Sequence, residues 1–440
     1  MRKSTECNFA NIVVVGGGAA GLMCASFASQ SNFTVTVFEK NSSKQKLRSD
    51  ECYDNSYLGK KLLITGKGRC NLTNNCSNEE FLKNVPENPK FLYSALKSFD
   101  TAAVMNFFED NGCPVKTERG NRVFPISDKS RDVLEALKRS INLDNCKFIN
   151  TTVTDINKID EVFVIKCSDG NEYTFDKVII CTGGLSYPQT GSTGDGYDFA
   201  RKFGHTVTKP RGSLVPIELC GAVHNELQGL SLRNVVLSLY DKKNKKVFSE
   251  MGEMLFTHFG ITGPLVLSCS AHMRKEPSEY RLEVDLKPAL NEEVLDARLV
   301  ADFNKYINRD ICNALTDLLP QKLIAPFVKL CGISFSTKVN SLKKEQRRTI
   351  LNVLKHFPLQ IKALRPVSEA VITSGGISVK EINPSTMESK ICRGLYFAGE
   401  IIDVDAYTGG FNLQIAFSTG KLAAKSAILS LNEKEEETNE

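Results

Sequence analysis

Apolar positions along the chain fall into two rhythms. Ile12 to Val15 is an unbroken apolar run, the pattern of a strand covered on both faces, and Val35 to Phe38 is a second. Between them the spacing predicts a helix from about Ala19 to Ser29. Leu62 to Thr65 reads as a short strand or turn. Phe91, Leu92, Ala95, Leu96, Phe99, Val104, Phe107 and Phe108 recur at helical spacing within Asn88 to Asn111, and Ser130 to Ile141 reads as another helix. Strands are then expected from Lys147 to Asp155, Val162 to Cys167, Tyr173 to Phe175 and Lys177 to Cys181, with Asp169-Gly170 as a hairpin turn. A helix from about Gly194 to Phe203 follows a glycine-rich loop.

Near Thr208 to Arg211 the pattern changes. Leu214 to Leu219, Val235 to Tyr240, Lys246 to Phe248 and Arg281 to Leu286 predict antiparallel strands. Helices are predicted over Asn291 to Ile307, Asp310 to Leu319, Gln321 to Leu330 and Leu342 to Lys355. Strands followed by helices imply a separate α+β insert. From Leu364 the strand-and-glycine pattern returns, with a strand at Gly394 to Ala398 and a helix from Phe411 to about Leu431. The expectation is an α/β, doubly wound domain in two parts, residues 1–207 and 364–431, interrupted by an insert over 208–363. An acidic tail, 432–440, reads as solvated chain at the end of a helix.

The first strand runs straight into Gly16, Gly18 and Gly21, the G-x-G-x-x-G spacing of a dinucleotide site. The three glycines serve a tight turn, close backbone approach to a pyrophosphate and close helix packing. The helix they open would face its N–H groups and dipole to the phosphates. Glu39 ends the second strand about 20 residues on, where a carboxylate can take the hydroxyls of a ribose. The loop holding Gly66, Gly68, Arg69, Asn71, Thr73 and Asn74 combines exposed N–H groups with a guanidinium, which points to an anion site. Ser186, Tyr187, Gln189, Thr190 and Ser192 place hydrogen-bonding groups on a second loop suited to lining a ligand.

Composition narrows the field. The chain of 440 residues, 41% hydrophobic and 24% charged, suits a globular protein of two or three domains. A net charge of +5 is mild and forms no basic stripe with interleaved aromatics, so no nucleic acid is expected as a partner. No apolar run is long enough to span a membrane, and MRKSTECNFA lacks a signal peptide's apolar core, so a cytoplasmic protein is expected, with no membrane partner. The 14 cysteines show neither a C-x-x-C pair nor zinc spacing; they read as free thiols, with no metal site.

VVVGGGAAGLMCA, GKKLLITGKGRCNLTN, TGGLSYPQTGSTGDGYDFARKFGH, GEMLFTHFGITGPLVLS, TSGGI and GLYFAGEIIDVDAYTGGFNLQIAFSTG, in this order from about Asn11 to Ala424, closely resemble the HI0933-like (BaiN-like) family of NAD(P)/FAD-dependent oxidoreductases. The resemblance implies a Rossmann FAD domain of the glutathione-reductase type, with a β-barrel-plus-helices insert. It places Gly16, Gly18 and Gly21, with Ala19 and Ala20, at the FAD pyrophosphate, and Glu39 with Lys40 at the adenosine ribose. Lys61 and the Gly68, Arg69, Cys70, Asn71 loop would lie along the cofactor. Thr182, Gly183 and Gly184 match the strand end near FAD, and Gly399, Glu400 and Asp403 the segment meeting the ribityl chain. Gly410, Asn412 and Leu413 would bring N–H groups to the pyrimidine edge of the flavin. Two departures stand out: Ser42 to Leu58 is longer than usual, and Lys67 replaces a glycine.

The family implies an FAD-dependent oxidoreductase that reduces an activated C=C bond of a small-molecule, enone or 3-oxo-steroid-like, substrate, with NAD(P)H as donor. Oxidation of a small amine or amino ketone is an alternative, and an RNA-associated flavoprotein another. Only one full dinucleotide motif is present, and no C-x-x-x-x-C pair, which argues against disulfide reduction. His258, Tyr187 and Tyr407 are the candidates for proton handling. The oligomeric state is left open.

Overall fold

The computed structural model describes residues 11–41, 57–221 and 223–439. The chain separates into two compact units, Met1–Gly212 with Val367–Glu440, and Ser213–Pro366.

The first unit is organised by a five-stranded parallel sheet. Its strands, in spatial order, are Leu395–Phe397, Lys177–Ile180, Asn11–Val15, Thr34–Phe38 and Cys146–Ile149. Every pairing is parallel, with Val13 opposite Val178 on one side and Thr36 on the other. Ile12, Val13 and Val14 are fully buried, as a central parallel strand covered on both faces requires. Helix Ala19–Ala28 returns over the sheet and packs along the last helix, Phe411–Asn439. The two-part origin of this sheet is physical: the edge strand Leu395–Phe397 and the last helix come from the far end of the chain. A separate antiparallel meander, Val153–Ile159, Val162–Cys167 and Glu172–Phe175, turns at Asp169-Gly170 as expected.

The second unit carries its own core. Seven strands pair antiparallel in the order Phe357–Leu359, Tyr280–Asp285, Ser231–Asp241, Lys246–Phe256, Gly260–Thr262, Ile217–Leu219 and Ile361–Leu364. The two outermost strands are successive in the chain, separated only by Gln360, so the sheet curls until its edges are brought near each other. Helices Glu292–Lys305, Gln321–Leu330 and Lys344–Lys355 contribute Leu299, Phe327 and Leu354 to this core.

Several elements differ from the sequence reading. Leu62 to Thr65 is neither strand nor simple turn: Lys60–Ile64 is a short helix, and Leu62 is its buried residue. The aromatic stripe of 88–111 is broken into Pro89–Leu92, Tyr93–Ser98 and Thr101–Asp110. Asp100 makes the break, its carboxylate accepting the N–H of Ala103 at 2.8 Å as an N-cap. The expected helix over Asp310 to Leu319 shrinks to Ile311–Ala314. The last helix runs on through the acidic segment to Asn439 rather than ending before it. The longer connection noted at Ser42 to Leu58 falls, up to residue 56, outside the described residues, as does the N-terminal segment MRKSTECNFA. Among the described residues no helix is long and apolar enough to cross a membrane, no His/Cys/Asp/Glu group could hold a metal, and every cysteine is free.

Candidate functional site

A cleft opens at the C-terminal ends of the parallel strands, where a doubly wound sheet places its ligands. It encloses about 1220 Å³ of non-atom space, its open mouth included.

One wall is the first glycine turn: Gly16, Gly17, Gly18, Ala19 and Ala20 all line the cleft. Gly16 has φ +110°, and a Cβ there would stand 2.6 Å from the carbonyl oxygen of Cys181. Gly21 does not line the cleft. Its absent Cβ lets the helix sit against the turn, since a methyl would fall 1.8 Å from the Gly16 carbonyl oxygen. Gly18 is different again, because a Cβ built on it meets nothing within 4 Å. The free N-terminus of helix Ala19–Ala28 therefore faces open space.

Glu39 is buried at the end of its strand. One carboxylate oxygen accepts the N–H of Gly17 at 2.8 Å, and the other accepts the backbone and side-chain N–H groups of Asn41 at 2.8 Å each. A carboxylate has about four lone-pair positions, so a hydroxyl partner can still be taken. Lys40 lines the cleft and is held by Thr193 and Asp195. Thr182, at the end of Lys177–Ile180, lines it with Gly183. The Thr182 hydroxyl is buried without a hydrogen-bond partner and turns toward Gly196, where a Cβ would stand 2.2 Å from its oxygen.

A different wall is a polar network assembled from four segments. The Lys61 ammonium contacts Glu400 Oε2 at 2.5 Å and Ser186 Oγ at 2.6 Å. Glu400 Oε1 accepts from Ser186 Oγ at 2.8 Å and from the N–H of Thr373 at 2.9 Å. Thr373 Oγ1 in turn accepts the N–H groups of Leu185 and Ser186 at 2.8 and 3.0 Å. Burial would push the Glu400 carboxyl up, but the charge of Lys61 and the bonds from Lys61, Ser186 and Thr373 outweigh it and hold it below the ordinary carboxylate range. Lys61 and Glu400 both line the cleft, as do Asn412, Leu413 and Ala416 of the last helix's first turns. The Asn412 side chain is used up in stapling the preceding loop, to Ala406 N at 2.9 Å and Ala406 O at 2.7 Å. Its backbone N–H, with that of Leu413, belongs to the helix end that has no intrahelical acceptor.

Part of the predicted set lies elsewhere in the structure. Gly68, Arg69, Cys70 and Asn71 lie outside the cleft lining. Arg69 is already paired. Its guanidinium contacts Glu118 at 2.5 Å and Asp128 at 2.5 Å while lying over the Phe124 ring at 4.2 Å. Two local carboxylates thus neutralise it and fasten the loop. Cys70 is buried and its thiol is pushed well up, first by burial and then by Cys113, so it is no thiolate. Gly184, Gly399, Asp403 and Gly410 also fall outside the lining. Gly184 and Gly410 are packing positions, their absent Cβ atoms admitting Thr373 and the Thr73 carbonyl.

The three candidates for proton handling are divided between the two units. Tyr187, at φ +52°, and Tyr407 belong to the first unit but line no part of the cleft. His258 sits exposed on a turn of the second unit. Thr373 is the residue that the motifs do not single out, whereas Ser186 stands in the loop already read as suited to lining a ligand. TSGGI was visible as a motif, but its threonine acquires a role only through contact with Glu400, 27 residues on.

The profile of the HI0933-like protein Rossmann domain matches residues 10–426. The 3-dehydro-bile acid delta(4,6)-reductase of Clostridium scindens is 30% identical over 420 residues, 94% of this chain and 98% of the reductase. The ribosomal RNA dihydrouridine synthase of Haemophilus influenzae is 30% identical over 94% of this chain and 97% of its own length. That of Escherichia coli is 29% identical over the same shares. Among solved structures, the 3-ketosteroid delta1-dehydrogenase of Sterolibacterium denitrificans superposes with a TM-score of 0.49 at 13% identity, covering 96% of this chain and 100% of that one. Two relatives named for ribosomal RNA remove the ground for excluding nucleic acid on charge alone.

Proposed function

Since the chain belongs to the HI0933-like family of FAD-dependent oxidoreductases, we propose that its cleft binds FAD and that the protein saturates a ring C=C bond conjugated to a carbonyl, with NAD(P)H as donor. The observation that carries this reading is the cleft itself. It runs between a helix N-terminus free of side-chain cover at Gly18, the buried acid Glu39 and the Lys61–Glu400 pair. These are the donor and acceptor types that a pyrophosphate, a ribose and an electron-accepting ring require.

In this reading the N–H groups at Gly18 and Ala19 hold the pyrophosphate, and Glu39 takes ribose hydroxyls. Bound FAD supplies hydride acceptance and donation. The chain's own contribution is positional and electrostatic. Lys61 is held at the cleft by Glu400 and Ser186 as a neutral ion pair that can donate a hydrogen bond, and the last helix adds the partial positive charge of its N-terminus. That helix end stabilises negative charge developing within the cleft.

The reading draws together the names of the relatives. A 3-oxo-Δ4,6 steroid and a uracil ring each carry a C=C bond conjugated to a carbonyl, so one reaction serves both: hydride to the β-carbon and a proton to the α-carbon. The second reading, favoured by the two relatives named for ribosomal RNA, differs only in the carrier: the ring is a uracil within RNA rather than a free small molecule. Anaerobic mixing of the FAD-loaded protein with NADH or NADPH, followed by a steroid enone or a uridine-containing RNA, tests both. Flavin bleaching and its reversal by one oxidant is the expected course. A purified protein that takes up no FAD ends the proposal.

A further inference from the structure

We infer that the hairpin tip Asp241–Lys246 of the second unit is a docking point for the phosphodiester backbone of a structured RNA. The inference rests on the reading in which the reduced ring is a uracil carried by RNA.

Lys242, Lys243, Lys245 and Lys246 occupy four of five successive positions, all exposed, at the turn between Ser231–Asp241 and Lys246–Phe256. The turn is rigid. Asp241 Oδ1 accepts the N–H groups of Lys243 and Lys245 at 2.8 and 2.9 Å, Asn244 N–H donates to Asp241 O at 2.9 Å, and Asn244 stands at φ +58°. The acid within the tip is therefore occupied in shaping it. Among the described residues none of the four ammonium groups is in an ion pair. Tyr240 at the base of the tip lies under the Arg281 guanidinium at 4.5 Å and beside Lys246 Nζ at 5.7 Å, adding an aromatic ring to the basic cluster.

Two ordinary explanations for surface lysines do not apply. Lysines often protect a sheet edge from pairing, but these two strands are the third and fourth of seven. A merely solubilising charge would be spread over the protein. Here Ser213–Pro366 holds 22 Lys and Arg against 16 Asp and Glu, while the remaining residues hold 34 against 35. The whole positive excess belongs to this unit. Four exposed ammonium groups outside any ion pair, on a tip closed by hydrogen bonds, match a polymer with a phosphate at every step, whose bound counterions they would release. An anionic lipid surface is the competing partner, but among the described residues of the tip no large apolar side chain is exposed to enter a bilayer.

The test compares the full-length FAD-loaded protein with the variant Lys242→Glu, Lys243→Glu, Lys245→Glu and Lys246→Glu. A fluorescently labelled stem-loop RNA and vesicles containing phosphatidylserine serve as separate probes, over a range of salt. The expected result is RNA binding by the parent, weakened at least tenfold in the variant, with the log–log salt slope flatter by roughly three. Flavin content, melting temperature and turnover of a free enone should be unchanged. Equal RNA affinity and salt slope in both proteins, no RNA binding by the parent, or preferential binding to the vesicles overturns the inference. Should no ring C=C be reduced while the variant still loses RNA, the functional proposal fails and the docking surface stands.

Discussion

Lys61 and Glu400 set the terms at the scale of single residues. The Glu400 carboxyl is held below its ordinary range, so its contribution to stability is present above the unfolded value of about 4.3 and disappears as pH falls through the lower folded value. Lys61→Met removes the charge that opposes burial and leaves an unpaired buried carboxylate. The variant should lose ~3 kcal/mol of stability at neutral pH by urea unfolding, and the gap should narrow on acidification as the carboxyl becomes neutral in both proteins. A pH-independent gap would mean that the pair contributes only packing. Lys67 is a second case. It is exposed, with φ +59° and ψ +39°, in the left-handed region that disfavours a side chain. Lys67→Gly relieves that strain and loses part of the gain to a freer unfolded chain, so stabilisation by about 0.5 kcal/mol is expected. A lower denaturation midpoint would show that the Lys67 side chain stabilises the loop.

The strand–turn–helix that opens the chain separates binding from folding at the scale of an element. Gly18→Asp places a carboxylate at a helix N-terminus facing open space, where its Cβ touches nothing within 4 Å. The fold should survive, and FAD uptake measured by flavin absorbance should fall at least tenfold, because a negative charge meets the pyrophosphate. Gly21→Ala should do the opposite, since its methyl would overlap the Gly16 carbonyl oxygen. Backbone must shift, and loss of soluble folded protein is expected rather than selective loss of cofactor. If both variants fold and bind FAD like the parent, the cleft is not the cofactor site. Two glycines three residues apart thus have unlike roles, which the G-x-G-x-x-G spacing alone leaves merged.

For the whole molecule, a ligand that binds the folded protein alone must stabilise it. FAD at about 100 times its dissociation constant should add ~2.7 kcal/mol, read as a concentration-dependent rise in melting temperature. No rise, with FAD demonstrably in excess, would place the cofactor elsewhere or nowhere. By itself the sequence determined the parallel strands, the glycine turn, Glu39 at the strand end and the return of the pattern after residue 364. Each depends on backbone demands that residue type reports locally: a run buried on both faces, a φ open to glycine, a methyl with no room. Only the tertiary structure decided the partners. Arg69 reads as a phosphate ligand until the chain brings Glu118 and Asp128 to it, 49 and 59 residues away. Lys61 meets Glu400 across 339 residues, and Thr373 joins them from a third segment. The strength and consequence of a charge depend on what folding places within a few ångströms of it and how much water is left there, and no periodicity along the chain encodes either.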